Sequence, residues 1–373
     1  MDNSAIKLPV YSKLAQILLG IIAFFYILYI GQDIIIPIVF ATIIAILLNP
    51  LVNYLTRKKI NRVAAILIAL TAAIILIGAL GYFIGSQASL FTQTFPQLKE
   101  RIILLFQELI LWVSQTFHVS TEKTGEWIAK IKTEGMSTGT TVIGQTLLTF
   151  GGILVILLLL PVYVFMILFY KPHLLEFIAR LFQRERHSVV AEVLVESRTL
   201  IQSYLVGLLL EAAIVAALNS AGLLILGVQY AILIGVVGAL LNIIPYIGGL
   251  IAIAIPMIIA LATQSPITAI WVLVAYLIVQ FLDNNFIVPR IVASKVKING
   301  LVSIIVVFIG GALWGFAGMF LAIPLTAIIK VVFDRIEPLK PFGFLLGDTQ
   351  SEIGKAVFNF KIPVKKKKKA IIK

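Results

Sequence analysis

The chain has 373 residues, 60% of them hydrophobic and 13% charged, with a formal net charge of +13 and no cysteine. Apolar runs longer than about 18 residues recur, which marks a polytopic helical membrane protein and excludes an ordinary soluble domain. Without cysteine there are no disulfides, thiolate metal sites or cysteine nucleophiles. The excess positive charge sits in loops beside apolar runs, a signal of membrane orientation rather than of nucleic-acid binding.

In chain order, the candidate spans are Leu14–Ile30, Ile34–Leu55, Ala64–Phe83, Leu147–Tyr170, Leu200–Leu226 and Pro266–Ile287. Backbone groups in lipid must bond within their own segment, so each is assigned as a helix. The first has no small-residue cleavage site, and a second run follows after only Gly31-Gln32-Asp33, so it reads as a retained span. The loop carrying Arg57, Lys58, Lys59 and Arg62 has no acidic residue and marks the cytoplasmic side. This places the N-terminus inside and residues 85–145 outside. That outer segment mixes acidic and basic residues, with Phe95, Leu98, Ile102, Leu105, Phe106, Leu109 and Trp112 at helical spacing. It is expected to be an amphipathic helical cap, with Pro96 at a helix start. A second amphipathic stretch, Lys171 to Arg198, is expected inside.

Two further stretches, Gln229–Ala262 and Leu301–Phe333, are nearly free of charge and each is interrupted in the middle. The interruptions are Pro245-Tyr246-Ile247-Gly248-Gly249 and Gly310-Gly311 through Gly315 and Gly318. As a straight helix each would measure roughly 50 Å, against a hydrocarbon core of about 30 Å. Full crossings would also put Arg290, Lys295 and Lys297 outside, against the charge rule; two re-entrant hairpins keep them inside. Helix plus outer hairpin followed by helix plus inner hairpin is an inverted repeat, the arrangement that surrounds transport sites. Ala254-Ile255-Pro256 and Ala322-Ile323-Pro324 echo each other in the two second halves.

The expected fold is therefore all-α: a polytopic integral membrane protein with about six full spans, two broken or re-entrant hairpins and an amphipathic extracytoplasmic segment, eight membrane segments in all. The divisions are 1–84 (a scaffold of three spans), 85–145 (the outer segment), 146–199 (the fourth span and an inner amphipathic helix), 200–335 (the helix–hairpin pair) and 336–373 (a basic cytoplasmic tail). Lys365–Lys369 in the tail suit anionic lipid.

One ionisable side chain lies deep in a span: Glu211. A carboxylate at mid-bilayer costs at least about 3 kcal/mol, so such a group faces the protein interior or a water-filled path. Burial favours the neutral acid, which suits either a proton or cation relay or a hydrogen-bonded tie between helices. Gln280, Asp283, Asn284 and Asn285 gather at the end of another span, where their oxygens and amides suit a hydroxylated solute or a sodium ion, or simply a wet helix end. Asn242 lies three residues before Pro245; Asn219-Ser220 is a weaker candidate. Gly311/Gly315 and Gly81/Gly85 are GxxxG spacings for close helix packing. Pro245, Tyr246, Gly248 and Gly249 are expected at one hairpin turn, and Gly310, Gly311, Gly315 and Gly318 at the other, where freed backbone groups form gates. There is no P-loop, HExxH or GxSxG, and His118, His173 and His187 all lie outside the spans, so an ATPase or intramembrane protease is not indicated and no cofactor is expected.

Three separated blocks carry a family resemblance. They are Pro37 through Ala45-Ile46-Leu47-Leu48-Asn49-Pro50-Leu51; Tyr204 and Gly207 with Leu226-Gly227-Val228 and Leu241-Asn242-Ile243-Ile244-Pro245-Tyr246-Ile247-Gly248; and Pro289, Gly310-Gly311, Gly315, Gly318 and Ala322-Ile323-Pro324. Over nearly its whole length the chain resembles the AI-2E family of transporters, also called the autoinducer-2 exporter or PerM-like family. Gly249 and Gly300 stand where proline is frequent in that family. The resemblance implies membrane transport in the cell inner (cytoplasmic) membrane, with homo-oligomers; some members are linked to export of the furanone signal autoinducer-2, others to sodium/proton exchange. The leading expectation is a secondary exporter of a small solute, with Na+ or H+ as the candidate ion and Glu211 coupling protons. A sodium/proton antiporter and a non-transporting membrane scaffold are the alternatives.

Overall fold

The computed structural model describes residues 9–117, 159–243, 247–292, 296 and 298–348. Among these the chain is helical, with no strand beyond one isolated bridge between Ile298 and Gly347. Six helices are long and apolar enough to cross a bilayer.

Helices α1 (Val10–Ile30) and α2 (Gln32–Arg57) are separated by Gly31 alone. Helix α3 (Arg62–Phe117) differs from expectation: 56 residues run without a break, so the third span and the first half of the outer segment are one rod. At 1.5 Å per residue it is roughly 84 Å long and projects far beyond any hydrocarbon core. The helix runs through Pro96 instead of starting there. No neighbouring atom lies within 4 Å of a Cβ built at Gly81 or Gly85, so this GxxxG is not a packing seam among the described residues. The rest of the outer segment and the start of the fourth span fall outside the described residues. The span reappears as α4 (Leu159–Phe169), which bends by 63° into the amphipathic α5 (Lys171–Leu181). Small residues bring α2, α3 and α4 together: Ala41, Ala45, Ala65 and Ala69 pack against Ile66, Val164 and Leu168. Lipid offers no hydrophobic drive for helix pairing, so close backbone approach through such residues supplies the packing.

Helix α6 (His187–Ile225) begins thirteen residues before the expected span, absorbing the end of the inner amphipathic stretch. Gly227 and Tyr230 both take left-handed backbone angles and turn the chain back into α7 (Ala231–Asn242). This helix is about 18 Å long, too short to cross. Helix α8 (Ile247–Thr263) returns beside it. Gln264 Nε2 then donates to Gly227 O at 2.6 Å, closing the mouth of the first hairpin at the C-terminal end of α6. Gly248 and Gly249 lie in the first turn of α8 and not in the hairpin turn; a Cβ at Gly248 would overlap the carbonyl of Leu241. Pro245 and Tyr246 fall outside the described residues.

Ser265 caps α9 (Pro266–Leu282), accepting from Thr268 N at 3.2 Å, with proline at the first helical position. A π-helical turn, Asp283–Ile287, and the short α10 (Val288–Ile291) follow. Asn299 then caps α11 (Gly300–Arg335) through Val302 N at 2.8 Å. Gly300 is the first helical residue of α11.

By composition α11 could cross a bilayer, but its backbone folds back. Trp314 and Gly315 leave helical geometry, and Gly315 takes φ +59°, a left-handed angle that glycine accepts without strain. Gly310 and Gly318, eight residues apart, then face each other so closely that a Cβ on either would overlap the other's carbonyl. A straight helix would hold them about 12 Å apart. The expected Gly311/Gly315 seam is therefore replaced by a Gly310/Gly318 contact between the two arms. Trp314 Nε1 at the tip donates to Leu28 O at 2.9 Å, satisfying one of the carbonyls left open at the end of α1. At the mouth of this second hairpin, Arg335 pairs with Glu192 at 2.5 Å and Glu196 at 3.0 Å in the N-terminal part of α6. The two hairpins thus open toward opposite ends of α6. Beyond them, α12 (Lys340–Leu346) folds back on α11 and is pinned by Asn299 Nδ2 to Leu345 O at 2.7 Å. The lysine run lies outside the described residues.

Candidate functional site

Helix α6 contributes Tyr204, Leu208 and Glu211, residues at i, i+4 and i+7 that share one helical face. Gly207, on the same stretch, lets α6 approach the end of α10 closely: a Cβ there would sit 2.7 Å from Ile291 O. This brings Glu211 beside the π-helical turn. A π turn places one extra residue in the helix, which re-aims the side chains that follow, and such turns concentrate at functional sites. Here it buries Asp283, only 1% exposed, at the end of a 17-residue apolar helix.

The tip of the first hairpin meets this point. Asn242 Nδ2 donates to Asp283 Oδ2 at 2.9 Å. Asp283 Oδ1 has no partner. One turn earlier, Gln280 Nε2 donates to Asn284 Oδ1 at 3.2 Å. Gly249 fits tightly over both amides, since a Cβ at that position would lie 3.3 Å from Asn242 Oδ1 and from Gln280 Oε1.

These groups line a cavity of about 620 Å³ whose other walls are Val292, Val296 and Ile298 from the segment before α11, and Ser303 and Ile323 from the two arms of the second hairpin. Of the residues expected from sequence, Glu211, Asn242, Gln280, Asp283, Asn284 and Gly249 come together here. Asn285 does not: it is exposed, and its Nδ2 donates to Phe281 O at 2.8 Å. Gly310, Gly311, Gly315 and Gly318 shape the second hairpin without lining the cavity. Asn219 and Ser220 lie elsewhere, where α6 passes α7: Ser220 fills the space over Gly235. Two polar lining residues, Tyr204 and Ser303, were not singled out as site candidates. The spacing of Tyr204 and Glu211 on one helical face was the available signal for the first; Ser303 carried none.

The chemistry of the lining is distinctive. Two carboxyl groups, a phenol, a hydroxyl and three amides face one space, and among the described lining residues there is no Lys, Arg or His. Glu211 is 7% exposed and has no hydrogen-bond donor among the described residues. Carboxylates in a low-dielectric site call for a compensating positive charge, a bound cation or a proton. Toward the C-terminal end of α6, Leu223, Ile234, Ala252, Ile259 and Val272 belong to a packed apolar core.

The family model described as AI-2E family transporter matches residues 18–337. The chain is 26% identical over 324 residues to the AI-2 transport protein TqsA of Escherichia coli, covering 86% of this chain and 92% of that one. It is 28% identical over 352 residues to a Haemophilus influenzae protein named "Putative transport protein", covering 91% and 98% respectively. It is 28% identical over 317 residues to "Putative transport protein YueF" of Bacillus subtilis, covering 80% and 83%. A match across this much of the chain, enclosing both hairpins and every described residue of the cavity, makes the protein a member of the AI-2E family of transporters.

Proposed function

We propose that the chain is a secondary transporter that exports a small hydroxylated solute of the autoinducer-2 type across the cytoplasmic membrane, with both termini on the cytoplasmic side. One observation carries this reading: Glu211, Asn242, Gln280, Asp283 and Asn284 face a single cavity bounded by both hairpins. Amides and carboxyl oxygens arranged this way accept and donate hydrogen bonds to several hydroxyls at once. The volume of about 620 Å³ lies within the range of small-molecule pockets. The hairpins act as gates: movement of the first exposes the cavity toward the C-terminal end of α6, and movement of the second toward its N-terminal end. The name of the Escherichia coli relative supports the solute class. The helix–hairpin pair, residues 200–335, forms the moving unit and residues 1–84 the scaffold. The test is efflux of a furanone-type diol from proteoliposomes holding the purified protein; Asp283→Asn should abolish saturable efflux, and equal efflux from empty liposomes would refute the reading.

Two cavity carboxyl groups without a basic partner among the described lining residues also favour a second reading, sodium/proton exchange. Glu211 carries the proton and Asp283 the metal ion, with carboxylate and amide oxygens replacing water around the cation. Sodium-driven proton movement in the same proteoliposomes, without any organic solute, distinguishes this reading from the first.

A further inference from the structure

A second cavity, of about 450 Å³, shares no lining residue with the first and lies where α2 ends, α3 begins and α4 bends into α5. Its polar lining is Asn49, Asn53, Thr56, Arg62 and Lys171; its apolar wall includes Val52, Leu168 and Leu175. Arg62 donates through one nitrogen to Leu168 O at 2.7 Å, and Lys171 Nζ donates to Asn49 Oδ1 at 2.9 Å. Each bond uses part of a cationic donor and leaves N–H groups for a ligand. Asn49 is 5% exposed, and its Nδ2 has no partner. No carboxylate is among the described residues that line the cavity. The Lys171 ammonium is held below its ordinary range by burial, then by the positive charges of Arg198 and Arg62. Two cations line the space with a third close by, and no acid among the described lining residues balances them.

The place matters as much as the charge. The cavity lies beside the turn that carries Arg57, Lys58 and Lys59, at the end of apolar spans, with α5 leaving at 63° to α4. A basic pocket between helix ends at a membrane boundary matches a phospholipid headgroup, with the apolar wall receiving the first carbons of its chains.

We propose that this cavity is a phosphate site in which Arg62, Lys171 and the free Nδ2 of Asn49 bind the phosphodiester of an anionic phospholipid. Arg62 supplies planar paired donors, Lys171 a point charge and Asn49 a neutral donor at the back of the site. The bound lipid fixes the angle between α4 and α5 by joining the α2 end to the start of α5. This site is independent of the transport cavity, so its occupant is a structural lipid and not the cargo.

The test uses the full chain, purified and delipidated in neutral detergent, with native mass spectrometry for retained lipid and thermal unfolding for stability. Phosphatidylglycerol should be retained and raise the midpoint, whereas phosphatidylcholine should do neither. Sodium phosphate at matched ionic strength identifies the source: no shift assigns the site to lipid, and a shift equal to that of phosphatidylglycerol assigns the same phosphate chemistry to a free anion. Lys171→Gln keeps a donor for Asn49 but loses the charge; Asn49→Asp places a carboxylate where the ligand's charge would sit. Each should weaken phosphatidylglycerol binding by about tenfold or more, the loss of one charge-assisted hydrogen bond. Asn49→Asp should do so while leaving the lipid-free midpoint unchanged or higher, which a merely structural role for Asn49 would not produce. Undiminished retention in both variants, or equal retention of phosphatidylcholine by the native chain, overturns the proposal.

Discussion

Asn242, the last residue of α7, donates a 2.9 Å hydrogen bond to Asp283 in the π-helical turn, joining the tip of one hairpin to the helix that leads into the other. Asp283 Oδ1 is left without a partner, so this one bond holds a buried acid. Asn242→Leu should destabilise the protein by about 2 kcal/mol, the cost of stranding a buried polar group. Asp283→Asn keeps the volume and should lose much less stability while abolishing saturable efflux. Thermal unfolding in detergent and proteoliposome flux separate the two effects.

Glu211 should govern coupling and not assembly. Glu211→Gln removes a charge that no described donor supports, so folding yield should hold or improve. Flux in the variant should no longer respond to an imposed proton gradient. An unchanged response would remove Glu211 from the coupling path.

The Gly310/Gly318 contact leaves no room for a side chain. Gly318→Val should cost about 3 kcal/mol or more, because a β carbon meets backbone that cannot move aside. Gly311→Ala should cost less, since its nearest neighbour is the flexible end of Met319 at 2.7 Å. Midpoints of thermal unfolding for the two variants give the comparison.

The opposed hairpin mouths make a topological prediction. The chain has no native cysteine, so Gln229→Cys and Pro338→Cys are each unique labelling sites. Gln229 lies at the mouth of the first hairpin and Pro338 just past the mouth of the second, and both are exposed. A membrane-impermeant maleimide should label Gln229→Cys from outside intact cells and Pro338→Cys only after permeabilisation. Labelling of both from the same side would end the arrangement described here.

Trp314 supplies a tie between the second hairpin and α1 through Leu28 O. Trp314→Phe keeps the ring but removes the donor and should cost about 1 kcal/mol. The resulting loosening of α1 should appear as faster proteolysis near residue 31.

The sequence alone determined the lipid environment, the helical class and the two points where an overlong apolar stretch must bend. Each follows from local physics: the solvent has a fixed thickness, and an overlong apolar helix bends near a cluster of glycine or proline. Most polar residues of the cavity were legible for the same reason, since a carboxyl group such as Glu211 or Asp283 in an apolar run must turn away from lipid toward the protein interior. Local physics did not determine how far helices extend past the membrane, so the length of α3 and the early start of α6 were not legible. Nor did it give partners. Gly310 meets Gly318 rather than another helix, Asn285 turns away while Asn284 faces the cavity, and Arg62 reaches Leu168 O while Lys171 reaches Asn49, each across more than a hundred residues of chain. Those pairings depend on which helices lie side by side and on one extra residue in a π turn, and only the folded backbone sets either.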